Sequence, residues 1–351
     1  MLPAISSFSP ARARCSQSTA VSCVMLTFDR FDLFCRSFQC FCDQTYPHKE
    51  LIILSHGTDE YISMLRDYVT GRGRKDVALI GVSSRLPLGL LRNTAIKTCS
   101  GDVICQWDDD DLSHPDRIAA QLSAMDLFSS DATVLLENLH LFYDSKQVFW
   151  CDWTRSRQDL GLAGTLMIRR ESLLSYRSDM SSDEDSQLLF DLCHGGRRLA
   201  LLGGMGCLYI YTYHGSNTFG RRHHQQLSRH LGLEHATLQM KIQSICRTLE
   251  HHAIQPPIDI VDHREDLVWR WDGTRRSSMF ATADEATTSV FVVSQGQGRQ
   301  RGDNAGTTGL AVHRRCSEMG LWVESHCMTR DRHTGHFHAT AIPQATDDLT
   351  M

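Results

Sequence analysis

The densest group of chemically active side chains lies in the run Ile104–Ile118, ICQWDDDDLSHPDRI, where Asp108, Asp109, Asp110 and Asp111 are adjacent. Neighbouring carboxylates repel one another, and ordering them in a fold requires a cation or hydrogen-bond donors to neutralise them. All-oxygen ligation suits Mg2+ or Mn2+, which bind through one or two carboxylates and complete their shells with water and substrate phosphates. A solvated acidic turn would need no ligand. Here an apolar strand runs directly into the acids and a helix opened by Pro115 follows them, which favours metal work. A calcium loop of the EF-hand type is excluded, because neither the glycine of its sixth position nor the glutamate of its twelfth is present.

A second acidic group, Asp183, Glu184 and Asp185 in SSDEDSQLLFDL, opens a helix whose Leu188, Leu189 and Leu192 face a core. Acids at a helix start also serve as ordinary caps, since the dipole and the free N–H groups favour negative charge there. From these residues alone both readings stand.

The elements that must position these acids follow from periodicity. Val21–Phe28 is an apolar run that reads as a buried strand, and Phe31, Phe34, Phe38 and Phe41 then recur at helical spacing. Strands are expected at Leu51–Leu54, Val77–Val82 and Val103–Trp107, with a helix through Tyr68 and another over Leu88–Thr98. Short apolar strands alternating with helices predict an α/β fold with a mainly parallel sheet covered on both faces. Ligands of such sheets bind beyond the carboxyl ends of the strands, where the four aspartates stand. Further strands are expected at Val134–Leu136, Leu139–Tyr143, Gly164–Ile168, Leu199–Leu202 and Leu208–Tyr213, and a mostly helical stretch over His223–His252.

Composition bounds the rest. Of 351 residues 41% are hydrophobic and 22% charged, which excludes wholesale disorder, collagen and coiled coil. No stretch approaches the ~20 apolar residues of a membrane span, although peripheral membrane contact stays open. A net charge of -5 gives no pull toward nucleic acid. The thirteen cysteines include no CxxC pair, so they read as reduced thiols in a cytoplasmic protein. Residues 1–20 are expected to be a disordered start, 21–222 the main domain, 223–256 a helical extension and 257–351 a largely disordered tail, because that tail is polar with only brief apolar runs. Arg301-Gly302-Asp303 matches an adhesion tripeptide by chance.

VSCVMLTFDR (Val21–Arg30), LGLLRNTAIKTC (Leu88–Cys99), GDVICQWDDDDLSHPDRI and the later Glu184-Asp185 resemble, in order and spacing, the family 2 glycosyltransferases of the GT-A (Rossmann-like) fold, over roughly Val21–Gly220. The resemblance implies transfer of a sugar from a nucleoside-diphosphate sugar to an acceptor hydroxyl, with inversion. It implies Asp110 as the best metal ligand, with Asp108 and Asp109 near the ribose or sugar of the donor and Asp108 also within reach of the Mn2+ or Mg2+ ion. By position His214 is the histidine that reaches metal or diphosphate, Asp185 the catalytic base, and Arg92 the arginine near the nucleotide base. Thr27 and Asp29 end the first strand, where the base would dock, and Arg221 and Arg222 stand where a closing loop could meet phosphate. One departure concerns the donor. Where the family places aspartates that hold uracil, this chain has Ser55 and His56, so a UDP-sugar is the first expectation while TDP and GDP carriers stay open. Trp150 and Trp153 lie in the segment that would build the acceptor side. A carbohydrate or other hydroxyl acceptor follows from the chemistry alone, and the tryptophans read either as core or as a sugar platform. Two alternatives remain: a nucleotidyltransferase, although TFDRFD offers no glycine-rich phosphate loop, and a catalytically inactive sugar-nucleotide-binding module.

Overall fold

The computed structural model describes residues 19–82, 84–156 and 160–273, together with the backbone of four later strands. The expected disordered start up to residue 18 and the Arg301–Asp303 tripeptide lie outside the described residues. Strands β1 (Val21–Thr27), β2 (Lys49–Ser55), β3 (Val77–Gly81) and β4 (Val103–Gln106) alternate with helices α1 (Phe31–Cys42), α2 (Asp59–Gly71) and α3 (Leu88–Ile96). The pairings β1–β2, β2–β3 and β1–β4 are all parallel, as the strand–helix alternation demands. Phe34, Phe38 and Phe41 of α1 are fully buried against this sheet. Each such ring contributes about 1.5–3 kcal/mol on leaving water.

The chain then passes through β5 (Leu112–Ser113), α4 (Arg117–Leu127), β6 (Ala132–Leu135), β7 (Glu137–Phe142), β8 (Gln147–Asp152) and β9 (Leu162–Arg169). After these come α5 (Glu184–His194), β10 (Leu199–Leu202), β11 (Tyr209–Tyr213), α6 (Arg221–Leu231), α7 (His235–His251), β12 (Ile258–Val261) and β13 (Leu267–Trp271). Backbone strands β14 (Val290–Val293), β15 (Thr308–Ser317), β16 (Gly320–Arg330) and β17 (Phe337–Ala341) complete the order. The main sheet runs β14-β10-β6-β9-β4-β1-β2-β3, and a second sheet runs β13-β12-β8-β7-β11-β5. This central sheet flanked by helices is the α/β architecture that the resemblance implies. Its middle is mixed rather than parallel, because β9 lies antiparallel between β4 and β6.

The expected mostly helical stretch over residues 223–252 is helical in two pieces, α6 and α7, which part at Gly232, where an added Cβ would stand 2.4 Å from the Ser228 carbonyl oxygen. One expectation needs correction. Residues 258–271, expected to be the start of a disordered tail, form β12 and β13, and Ile258, Ile260 and Trp271 are buried in the same core as Leu238, Ile242 and Leu249 of α7. The alternation in IDIV and LVWRW is a strand signal that the polar average of the tail conceals. Backbone strands beyond residue 289 also fall in that tail, with β15-β16-β17 forming a third sheet.

Arg117, fully buried at the start of α4, is a strut between the sheets. Its guanidinium donates to Gln121 Oε1 (3.0 Å), Ser113 Oγ (2.9 Å) and the Gln106 carbonyl (2.9 Å), and lies over the rings of Trp107 and Tyr209. Replacing it leaves several buried acceptors unpaired, so Arg117→Leu should lower unfolding stability by about 3 kcal/mol or more. Urea denaturation checks this, and a loss within experimental error would show that the strut is dispensable.

Candidate active site

The site forms where β1, β2 and β4 end together. Thr27 at the end of β1 pairs in register with Ser55 at the end of β2, and Gln106 closes β4 beside them. Trp107 turns the chain inward, its amide donating to the Val24 carbonyl (3.0 Å) while its ring is buried edge-on against Phe41. The four aspartates therefore leave the sheet on a fixed stalk.

Each acid meets a different partner. Asp111 is buried; Oδ2 accepts from Tyr209 Oη (2.7 Å) and Oδ1 from the Thr212 amide (2.8 Å), which fastens the acidic loop to β11 of the second sheet. Asp110 Oδ2 receives Arg30 Nη1 (2.7 Å) and lies 3.1 Å from His214 Nε2. Asp109, 1% exposed, receives Arg30 Nη2 on Oδ1 (2.5 Å). Asp108 keeps a quarter of its side chain exposed and is reached by Arg92 Nη2 (3.4 Å) and Gln106 Nε2 (3.5 Å).

The protonation pattern follows from these contacts. Burial pushes Asp108 up to about 6, reinforced by Asp110 and Asp185 and opposed by Arg92. Burial and the neighbouring Asp110 push Asp109 up to about 7. Asp111 is raised well above the carboxyl range by burial, then by Asp110 and Asp108. Burial also works against the Asp110 charge, but the His214 hydrogen bond and the Arg30 charge outweigh it, and the net shift is downward. Asp110 is thus the member held most firmly as an anion.

The second acidic group arrives on α5. Glu184, 3% exposed at the side chain, accepts from Arg92 Nε (2.8 Å), so one buried arginine links the start of α5 to Asp108. Asp185 accepts from Gln106 Nε2 on Oδ2 (3.3 Å) and from the Ser186 amide on Oδ1 (2.7 Å). Gln106 is itself oriented by Tyr176, whose hydroxyl donates to its Oε1 (3.3 Å). The loop before α5 is clamped to α3: Asn93 exchanges hydrogen bonds with the Tyr176 backbone, and the Gly89 amide donates to the Met180 carbonyl (3.0 Å). Gly89 is obligatory there, because a Cβ would stand 2.0 Å from the Arg177 carbonyl oxygen.

Asp108, Asp110, Asp185, Arg92 and His214 thus meet in one place. Arg92, matched by resemblance to the nucleotide-base region, instead lies buried between Glu184 and Asp108. Thr27, Asp29 and His56 form a neighbouring group at the ends of β1 and β2. Thr27 Oγ1 bonds Tyr61 Oη (2.5 Å), Asp29 Oδ1 accepts from the Thr58 amide (3.2 Å), and the His56 ring packs edge-on to Phe28 at 5.0 Å. Asp29 (φ 48°) and Asp183 (φ 58°) both adopt the left-handed conformation, uncommon outside glycine, directly beside the candidate site. Arg221 pairs with Asp144, and Arg222 is exposed. Trp150 and Trp153 are buried, their indole N–H groups donating to Glu137 and Asn138, so they are core rather than a sugar platform. Arg30, Gln106, Tyr176 and Tyr209 were not singled out from sequence. Arg30 and Gln106 lie within stretches that carry the family resemblance, whereas Tyr176 and Tyr209 carry no local signal.

Among the described residues no three His, Cys, Asp or Glu side chains form a ready-made metal cage, no disulfide joins the cysteines, and no helix is long and apolar enough to cross a membrane. Two buried polar atoms in the site, Asp109 Oδ2 and Arg92 Nη1, have no hydrogen-bond partner among the described residues. A ligand that brings both donors and acceptors would satisfy them.

Residues 22–136 match the model described as glycosyl transferase family 2. An uncharacterized glycosyltransferase of Bacillus subtilis (strain 168), YwdF, is 25% identical over 118 residues, 33% of this chain and 42% of the relative, so the match spans less than half of that protein. Two solved structures are similar. The mannosyltransferase PcManGT of Pyrobaculum calidifontis, in complex with GDP-Man and Mn2+, is 16% identical over 60% of this chain and 61% of that one, with a TM-score of 0.47. Residues 1–349 of S. aureus TarS, in complex with UDP-GlcNAc, are 15% identical over 66% and 73%, with a TM-score of 0.48.

A carboxyl whose pKa is higher in the folded protein than in the unfolded chain holds a proton that unfolding releases. Its stabilising contribution is therefore present at low pH and is lost as pH rises through the folded value. For Asp109 that window runs from the usual carboxyl range up to about 7. In metal-free buffer, Asp109→Asn should gain thermal stability relative to the natural protein on going from about pH 5 to about pH 8. A gap between the two melting temperatures that is independent of pH would contradict this.

Proposed function

We propose that the chain transfers a sugar from a nucleoside-diphosphate sugar to an acceptor hydroxyl with inversion at the anomeric carbon, with Asp185 as the general base. The observation that carries this reading is the Gln106 side-chain amide. It lies 3.3 Å from Asp185 Oδ2 and 3.5 Å from Asp108 Oδ1, so the candidate base and the acids of the donor site share one hydrogen-bond donor. An inverting displacement needs a carboxylate beside the incoming hydroxyl, on the face opposite the leaving group. Asp185 occupies the first turn of α5, its Oδ1 held by the Ser186 amide, which leaves Oδ2 toward Gln106 and the cluster. The buried Arg92–Glu184 pair keeps that turn in place.

Asp110, with Asp108 and His214 beside it, is the set that would hold Mn2+ or Mg2+, an ion that neutralises charge developing on the departing diphosphate. Hard oxygen ligands and Asp110 held as an anion suit an ion that completes its shell with substrate phosphates. His214 is oriented for this neighbourhood by Ser216, whose hydroxyl lies 3.0 Å from Nδ1. Thr27, Asp29 and His56 form the surface for the nucleotide base, with Phe28, 39% exposed, available for stacking. The donor is read as a UDP-sugar, with GDP and TDP carriers open because Ser55 and His56 replace the expected acids. Buried thiols without disulfides among the described residues suit a reducing compartment, and the cytoplasm is the proposed location.

Asp185→Asn should reduce turnover by about 10²–10⁴-fold while leaving nucleotide binding intact. Release of UDP or GDP from a panel of sugar nucleotides with Mn2+, together with calorimetric titration of the same nucleotides, separates the two effects. Equal loss of binding and turnover would make Asp185 structural, and release of pyrophosphate from nucleoside triphosphates would replace the proposed reaction altogether.

A further inference from the structure

Arg30 belongs to neither acidic motif, yet it makes the shortest side-chain contact in the cluster, to Asp109. It stands at the N-cap of α1 and reaches across the cleft, Nη1 to Asp110 Oδ2 (2.7 Å) and Nη2 to Asp109 Oδ1 (2.5 Å). Asp110 Oδ2 is also the oxygen beside His214 Nε2. The oxygen best placed for a divalent ion is therefore already compensated by a monovalent one. A guanidinium donating to that oxygen and a metal coordinated to it compete for the same lone pairs, and the two positive charges repel at such a distance. Arg30 retains 24% side-chain exposure, whereas Asp109 has 2%, so the arginine is the partner with room to move. Once displaced it requires another anion, and the oxygens of a diphosphate match its fork of donors.

We propose that Arg30 is the resident counter-ion of the acidic cluster, that a divalent ion must displace it from Asp110, and that a nucleoside diphosphate drives the exchange by accepting the hydrogen bonds Arg30 gives up. Metal and donor then bind as a coupled pair, each raising the affinity of the other by the same factor. The inference rests on the metal-dependent reading of this site given above. It assigns Arg30 a positioning role that neither the acidic motifs nor the base supplies.

The test is calorimetric titration of Mn2+ into the full chain, alone and with UDP or GDP, for the natural protein, Arg30→Met and Arg30→Lys. Mn2+ alone should bind Arg30→Met about tenfold or more tightly than the natural protein. Arg30→Lys, which keeps the charge, should stay near the natural value. Nucleoside diphosphate should tighten Mn2+ binding strongly in the natural protein and much less in Arg30→Met. If Arg30→Met does not fold, Arg30→Gln, which keeps hydrogen-bonding capacity without charge, makes the same comparison. The proposal is overturned if a folded, uncharged variant binds Mn2+ alone no more tightly than the natural protein, or if diphosphate leaves the natural protein's Mn2+ affinity unchanged. Failure of every form to bind Mn2+, with or without nucleotide, would remove the metal-dependent reading itself. Mn2+–nucleotide binding by the natural protein without a gain in the variants would remove only the role of Arg30.

Discussion

Adjacent carboxylates cannot be brought into a protein interior without opposite charge or directed hydrogen bonds, and this constraint organises the centre of the molecule. Asp108 to Asp111 are compensated from four directions: by Arg30 at the start of α1, Arg92 on α3, His214 after β11, and the Tyr209 hydroxyl with the Thr212 amide. None of these partners is near the acids in the chain except through the fold. The loops between β1 and α1, between β4 and α4, and after β11 consequently share one electrostatic centre.

Compensation is uneven, and the unevenness carries chemical meaning. Asp111 is spent on structure, tying the acidic loop to the second sheet, and burial, reinforced by its acidic neighbours, raises its pKa well above the usual carboxyl value. Asp110 is driven the other way and remains an anion at the mouth of the cluster. A run of identical residues thus divides into a member whose pKa is raised and one whose pKa is lowered, because one faces a phenol and a backbone amide while the other faces an imidazole and a guanidinium. Asp185 accepts from the neutral Gln106 amide, while Arg92 nearby is engaged by Glu184 and Asp108.

Much of this was legible in the chain. The first four strands and the helices between them were written in apolar runs and in the spacing of the phenylalanines, because parallel strands buried on both faces carry the strongest periodic signal. Both acidic groups were visible as such, since charge at the end of an apolar strand has few structural uses. Less legible were the partners. Arg30 and Arg117 lie within stretches that carry the resemblance, yet no local pattern pairs Arg30 with Asp109 and Asp110 or Arg117 with Gln121 and Ser113. Strand β8 and the pair β12–β13 were missed because their short alternating patterns are diluted by polar neighbours. The place of β9 between two strands was not readable, since order within a sheet depends on long-range pairing that no local pattern encodes.

The contact of Gly89 with the chain before α5 reaches beyond packing. Because the backbone of α3 touches that of the loop leading to Asp185, and Arg92 on the same helix grips Glu184, these segments cannot accumulate changes independently. A variant that lengthened the loop, or gave position 89 any side chain, would shift the carboxylate and its supporting arginine together.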